Sequence, residues 1–142
     1  MAHAATTHVR VNRSVLAHLE RQVLVWLAHR LPARIHSDHL TALAVVGTAI
    51  ASLSFALARL FPVALAGVAA GLALNWFGDS LDGTVARVRK QERPRYGYYV
   101  DHVLDVVGAA ILMGGMALSG LMTPLVALGV LVAYLLVSAE VF

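Results

Sequence analysis

The chain of 142 residues contains no cysteine. This absence excludes disulfide bridges, thiolate metal sites and cysteine nucleophiles, and it leaves the redox compartment undetermined. Charge is also scarce, because Asp, Glu, Lys and Arg make up only 13% of the residues, whereas about a quarter is usual in soluble proteins. The first residues, MAHAATTHVRVNRS, lack the apolar core of a secretory signal peptide.

Apolar residues dominate what is present. Hydrophobic side chains account for 59% of the chain, and the mean hydropathy is +0.75. A soluble fold of this composition would expose large apolar patches, so the composition predicts a membrane protein. The net charge of +3 comes from clustered basic residues. Such clusters favour lipid headgroups or phosphate-bearing substrates as partners and argue against a nucleic-acid surface.

The pattern of apolar residues predicts an all-α membrane bundle. Because about 20 apolar residues cross a bilayer, four helical spans are expected, at residues 39–61, 63–78, 97–120 and 121–141. Before them, residues 14–31 place Leu and Val on one face, which predicts an amphipathic helix in the membrane interface. The alternative is an ordinary surface helix on a soluble core. Residues 1–13 are polar and are expected to be flexible.

Arginine and lysine cluster in two segments, residues 10–34 and the loop at 87–95. Basic segments beside membrane spans stay in the cytoplasm, so both segments are expected on the cytoplasmic side of the cell (inner) membrane.

Four aspartates flank this basic loop. Asp79 and Asp82 are three residues apart, and Asp101 and Asp105 are four apart, so each pair projects from one helix face. An aspartate inside a span costs ~2.5–3.5 kcal/mol on insertion scales, and neighbouring carboxylates repel one another. A divalent cation offsets this charge, and carboxylate sites suit Mg²⁺ or Mn²⁺. Since Mg²⁺ often joins carboxylates to substrate phosphates, a phosphate-bearing substrate is expected, with Arg87 holding more of its charge.

Each feature also has a simpler explanation when it is taken alone. A pair of aspartates on a helix is usually a solvated face, and an aspartate in a span can serve ion transport. The basic loop can be a topology signal only. None of these explanations accounts for the features lying together.

The run GDSLDGTVARVRKQERPRYGYYVDHVLD resembles the signature of the CDP-alcohol phosphatidyltransferases, D-x2-D-G-x2-A-R followed by G-x3-D-x3-D. All its fixed positions match, at Asp79, Asp82, Gly83, Ala86, Arg87, Gly97, Asp101 and Asp105. The gap from Arg87 to Gly97 is nine residues, one more than is usual. HSDHLT at 36–41 is similar to the family's polar stretch before the first span. The family usually has six spans, so the resemblance implies a chain truncated after four.

The resemblance implies a transferase of phospholipid biosynthesis. It would move a phosphatidyl, or other phospho-alcohol, group from a CDP-alcohol such as CDP-diacylglycerol to an acceptor alcohol, and release CMP. By matching position, Asp79, Asp82 and Asp101 would hold Mg²⁺ or Mn²⁺. Asp105 would touch a second ion and act as the general base. The CDP site would comprise Asp79, Asp82, Gly83, Ala86, Arg87 and Gly97, joined by Asp38 and Thr41.

The resemblance also implies membrane lipids as partners, a homodimer, and an active site facing the cytoplasm. It does not name the acceptor. The fourth predicted span has no basic residue, so charges that recognise a phosphorylated acceptor would come from the basic loop or from beyond residue 142. Serine, inositol and amino alcohols stay open as acceptors.

Three other functions are compatible with parts of the pattern. A UbiA-type membrane prenyltransferase also uses aspartates and Mg²⁺, but such enzymes place their two motifs on well-separated helices. A small transporter would be a non-enzymatic alternative, and a truncated, inactive membrane fragment is the third.

Overall fold

The structure, a computed structural model, describes residues 15–140 of the chain. These residues form five α-helices and one short 3₁₀ turn, and they contain no strand. The predicted flexible segment 1–13 lies outside the described residues. The helices are α1 (Val15–Arg30), α2 (Ser37–Ala58), α3 (Leu65–Val88), α4 (Pro94–Ser119) and α5 (Pro124–Glu140), with the 3₁₀ turn at Pro62–Ala64 before α3. The all-α fold predicted from the sequence is confirmed.

Three helical segments are long and apolar enough to cross a membrane: Ser37–Ala58, Pro62–Val88 and Pro94–Ser119. The fourth apolar helix, α5, has 17 residues. The described chain is therefore a membrane helical bundle, as its composition predicted. Helix α3 continues beyond its apolar portion to Val88, so Asp79 and Asp82 lie on the same continuous helix as the apolar residues before them.

Proline and glycine set several of the helix boundaries. Pro94 and Pro124 are the first residues of α4 and α5, where the missing N–H would have no partner within the helix. Helix α4 is capped by Gly120, the residue after its last, whose φ of 76° is left-handed, a conformation that glycine adopts without steric cost.

Helix α2 is the centre of the bundle. It packs against both α3 and α4, whereas α3 and α4 do not pack directly on each other within residues 15–140. Helix α1 packs against α3, and α5 packs against α4. This arrangement leaves a cleft between α3 and α4, with α2 as its floor.

Small residues allow α2 and α3 to approach closely. A side-chain carbon at Gly78 would lie 2.6 Å from the carbonyl oxygen of Leu40, and one at Gly71 would lie 2.6 Å from the amide nitrogen of Ala51. Neither position has room for a side chain. Close contact between small residues is a common basis of helix association in membranes. The contact fixes α3 against α2, and with it the direction in which the α3 aspartates project.

The end of α3 is tied to the connection between α1 and α2. Helix α1 buries Leu24 and Ala28 against Leu81 and Val85 of α3. Just after α3, the Arg89 guanidinium donates hydrogen bonds to three backbone carbonyls of this connection, those of Leu31, Pro32 and Ile35. The contacts hold the start of α2 beside the last turns of α3.

Candidate active site

Two adjoining cavities occupy the cleft between α3 and α4. The outer cavity, beside the loop at 91–94, has a volume of about 430 Å³. The inner cavity, about 50 Å³, lies further along the spans, beside Asn75 and Gly108. Asp101, Thr41, Val45 and Leu104 line both cavities, so the two spaces meet along one wall.

Every site residue predicted from the sequence lines one or both of these cavities. The outer cavity is lined by Asp82, Gly83, Ala86 and Arg87 of α3, by Asp38 and Thr41 of α2, and by Gly97 and Asp101 of α4. The inner cavity is lined by Asp79, Asp101 and Asp105. Residues as far apart in sequence as Asp38 and Asp105 therefore border two adjoining spaces.

The four aspartates interact across the cleft. Asp79 experiences the negative charges of Asp105 and Asp101, and Asp82 experiences those of Asp79 and Asp101. Asp82 is only 9% exposed, whereas the other three are exposed to the cleft. The cleft therefore concentrates negative charge.

The donor chemistry of this cluster fits a hard divalent cation, because every aspartate offers carboxylate oxygens, the ligands that Mg²⁺ and Mn²⁺ prefer. The sequence predicted that the carboxylates converge on a shared cation. Among residues 15–140, no three acidic or histidine side chains are already grouped closely enough to hold a metal ion. The physical reason is that α3 and α4 face each other across the cleft without packing together.

Asp82 is held by hydrogen bonds at both carboxylate oxygens. The Thr41 hydroxyl donates to Oδ2 at 2.6 Å, and the backbone N–H of Gly83 donates to Oδ1 at 2.5 Å. The Ser37 hydroxyl donates to the backbone carbonyl of Asp82 at 3.1 Å. Thr41, which was predicted to belong to the nucleotide site, thus also orients one of the predicted metal ligands.

Asn75 is a polar residue of the inner cavity that the sequence reading missed. Its Nδ2 donates to the Ala44 carbonyl at 3.1 Å and to the Thr48 hydroxyl oxygen at 2.9 Å. The Thr48 hydroxyl in turn donates to the same Ala44 carbonyl at 3.2 Å. A signal was present: Asn75 is the one amide in the apolar run GLALNWF, four residues before Asp79, and so lies on the same helix face.

Two arginines line the outer cavity. Arg87 donates a hydrogen bond from Nη2 to the hydroxyl oxygen of Thr84 at 3.2 Å. Arg93, which was not among the predicted site residues, donates from Nη2 to Oδ1 of Asp38 at 2.6 Å. The hydrogen bond to Asp38 raises the pKa of Arg93, so Arg93 keeps its positive charge at any physiological pH. The cluster of basic residues in the loop was the sequence feature that could have identified Arg93 as a site residue.

Comparison with known proteins assigns most of the chain to one protein family. Residues 34–142 match the family model described as CDP-alcohol phosphatidyltransferase. The match begins in the connection before α2 and covers both cavities. No curated protein and no solved structure matched the chain.

Proposed function

The chain belongs to the CDP-alcohol phosphatidyltransferase family, and from that premise we propose that it transfers a phosphatidyl group from CDP-diacylglycerol to an acceptor alcohol. One observation carries the proposal. The signature residues of α3 and α4 line two adjoining cavities. Among residues 15–140, two arginines line the outer cavity together with carboxylates, whereas the charged groups that line the inner cavity are carboxylates. A reaction between an anionic donor and an alcohol needs two such neighbouring sites.

The outer cavity suits the cytidine diphosphate part of the donor. Arg87 and Arg93 line it, and guanidinium groups pair strongly with phosphate oxygens. Gly83 and Ala86 line the same wall with no side chain larger than a methyl group. A nucleotide can therefore approach α3 closely there.

A divalent metal ion, Mg²⁺ or Mn²⁺, would be held by Asp79, Asp82 and Asp101, with Asp105 beside it. When bound, such an ion supplies positive charge that offsets the charge of the carboxylates and of the substrate phosphates. The support here is the chemistry of the donors and their mutual repulsion across the cleft.

Asp105 is proposed as the general base. It lines the inner cavity beside Asp101, which also borders the outer cavity, and so it lies near the boundary between the two proposed substrate sites. Asp105 takes the proton of the acceptor hydroxyl, and the oxygen attacks the β-phosphorus of the CDP-alcohol. A new phosphorus–oxygen bond forms as the bond to the leaving phosphate breaks, and CMP departs with the electron pair.

We further propose that the loop beside the outer cavity faces the cytoplasm at the inner membrane. The excess of arginine in this loop and before α2 supports that orientation. CDP-diacylglycerol would then enter the cleft from the inner leaflet. Family resemblance supports a homodimer.

The test is release of CMP from CDP-diacylglycerol by the purified chain in detergent, with a panel of acceptor alcohols and with Mg²⁺ or Mn²⁺. We expect CMP to appear only when both an acceptor and the metal are present, and to be lost in Asp79→Asn. Ser54→Ala, on α2 away from both cavities, is the matched control. A folded chain that releases no CMP under any of these conditions, but consumes a prenyl diphosphate or moves a solute across liposomes, has one of the alternative functions.

A further inference from the structure

Asn75 lines the inner cavity with an amide side chain. It lies four residues before Asp79, which places it one helical turn, or about 6 Å, further from the outer cavity. The two residues therefore share one face of α3. Asp101 and Asp105 of α4 line the same cavity, whose volume is about 50 Å³. In so small a space, the amide and the three carboxylates border one common ligand site.

Two hydrogen bonds fix the direction in which the amide faces. Nδ2 of Asn75 donates to the Ala44 carbonyl at 3.1 Å and to the Thr48 hydroxyl oxygen at 2.9 Å. Because a backbone carbonyl only accepts hydrogen bonds, the nitrogen and not the oxygen must face α2. The Thr48 hydroxyl donates to the same carbonyl at 3.2 Å, which closes a network of three groups at the crossing of α2 and α3. The amide is therefore held in one orientation.

This orientation leaves the carbonyl oxygen of Asn75 for a ligand. Among residues 15–140, no group donates a hydrogen bond to Oδ1. Every fully buried polar side-chain atom in this part of the chain has a hydrogen-bond partner, so Oδ1 is accessible, and the space that its side chain lines is the inner cavity. Carbonyl oxygens, like carboxylates, are ligands that suit Mg²⁺ and Mn²⁺.

An amide oxygen adds a ligand without adding negative charge. Asp79 already experiences the negative charges of Asp101 and Asp105, and a further carboxylate would increase this repulsion. Mg²⁺ binds in octahedral geometry and is usually held by only one or two carboxylates, with other oxygens completing its shell. A neutral oxygen that is already oriented suits such a position.

We infer that Asn75 is a further ligand of the divalent cation, to which it contributes Oδ1 beside the carboxylates of Asp79 and Asp101. Thr48 is then a positioning residue, because it helps to hold the amide nitrogen on α2. Asn75 precedes the family signature, whose first fixed position is Asp79. The inference rests on the metal site of the proposed function and extends its ligands from carboxylates to an amide.

The alternative role of Asn75 is to join two helices and nothing more. Polar side chains commonly form hydrogen bonds across helices in membranes, and the contact of Asn75 with α2 is of this kind. The two roles depend on different atoms, because joining the helices needs Nδ2 whereas binding the cation needs Oδ1. Substitutions that separate these atoms therefore distinguish the roles.

The test is direct binding of Mn²⁺ to the purified full chain in detergent without substrate, followed by electron paramagnetic resonance. Asn75→Leu keeps a similar volume and removes both amide atoms. We expect its Kd for Mn²⁺ to rise by about tenfold or more, the usual effect of losing a group that supports a metal site. Thr48→Val is the matched control. It removes one partner of Nδ2 and leaves Oδ1 in place, so the Kd should stay within about threefold, the cost of one weakened hydrogen bond.

Asn75→Asp is the second variant. It keeps an oxygen that can reach the cation but replaces the amide nitrogen with a second oxygen, which cannot donate to the Ala44 carbonyl. Binding of the cation by Oδ1 predicts a Kd for Mn²⁺ at least as low as that of the natural chain. A role confined to joining the helices predicts the same loss as in Asn75→Leu. This variant decides between the roles if Asn75→Leu does not fold.

The outcomes separate this inference from the proposed function, because phosphatidyl transfer is measured independently as CMP release. An unchanged Kd in Asn75→Leu, an equal loss in Thr48→Val, or weak binding by Asn75→Asp overturns the inference and leaves the transfer in place. A chain that shows the expected order of Kd values but releases no CMP with any acceptor contradicts the transfer alone. A natural chain that binds no Mn²⁺ removes the metal site from the proposed function, and the inference falls with it.

Discussion

Asp79 and Asp105 line the same inner cavity from opposite helices, yet their surroundings differ. Asp79 shares its helix with Asp82 and experiences the charges of both α4 aspartates. Asp105 experiences the negative charge of Asp101 and the opposing positive charge of His102. It also borders a further cavity that Tyr134 of α5 lines. The greater negative charge around Asp79 supports its proposed role as a metal ligand.

We therefore expect Asp79→Asn and Asp105→Asn both to lose activity but to differ in their binding of metal. Both should lower kcat by about 10²–10⁴-fold, which is the usual effect of losing a general acid or base. Only Asp79→Asn should also weaken metal binding, because it removes a charged ligand. The measurement is the rate of CMP release against Mg²⁺ concentration, together with direct binding of Mn²⁺. Full turnover by Asp105→Asn would end its assignment as the base.

The contact between Thr41 and Asp82 gives a second prediction at this scale. Thr41→Val keeps the shape of the side chain and removes the donor to a buried carboxylate. We expect a loss of about 1–3 kcal/mol in the free energy of unfolding, the cost of leaving a buried polar group without its partner. Thr41→Ser retains the hydroxyl and is the matched control. Thermal unfolding in detergent measures both, and equal melting temperatures for the two variants would contradict the assigned role.

The crossing of α2 and α3 can be tested with a single methyl group. Alanine at position 78 would bring its Cβ within 2.6 Å of the Leu40 carbonyl oxygen and 2.7 Å of the Ala44 amide nitrogen, so the backbones must separate. We expect Gly78→Ala to destabilise the chain by about 1–3 kcal/mol, as overpacking usually does. It should also reduce activity, because Asp79 and Asp82 move with α3.

Gly114→Ala in α4 is the control for this substitution, since no heavy atom lies within 4 Å of its would-be Cβ. There alanine should be neutral or slightly stabilising, because it forms helix more readily than glycine. If the two variants unfold at the same temperature, helix contact at Gly78 does not set the geometry of the cleft.

At the element scale, the sequence predicted which helix faces carry the site but not which helices pack together. The spacing of Asp79, Asp82, Asp101 and Asp105 identified the helix faces that border the cleft, because helical periodicity alone determines them. The same periodicity says nothing about which helices are neighbours. That α2 separates α3 from α4 depends on the Gly71 and Gly78 contacts with α2. Asn75 was missed because its importance comes from Ala44 and Thr48 across that crossing.

The whole molecule combines a bundle that can cross a membrane with polar groups gathered at one end of the cleft. Asp38, Arg87 and Arg93 line the outer cavity, while the connection between α2 and α3 lies at the opposite end of both helices. A substrate with a charged nucleotide and a lipid tail suits this polarity. The proposed function therefore predicts that the loop at 91–94 lies on the side where the nucleotide is made, the cytoplasm.

The absence of cysteine makes this orientation directly measurable. Gln91→Cys places a single thiol in the loop, and Val63→Cys places one in the connection between α2 and α3, where Val63 is 80% exposed. In intact bacterial cells whose outer membrane has been permeabilised, we expect a membrane-impermeant maleimide to label Val63→Cys and to spare Gln91→Cys until the inner membrane is opened. The physical reason is that arginine-rich loops are retained in the cytoplasm. Val46→Cys, exposed within the apolar span α2 and lining neither cavity, is the control for a thiol in lipid. Labelling of Gln91→Cys in sealed cells would place the outer cavity outside the cytoplasm, away from its nucleotide-linked donor.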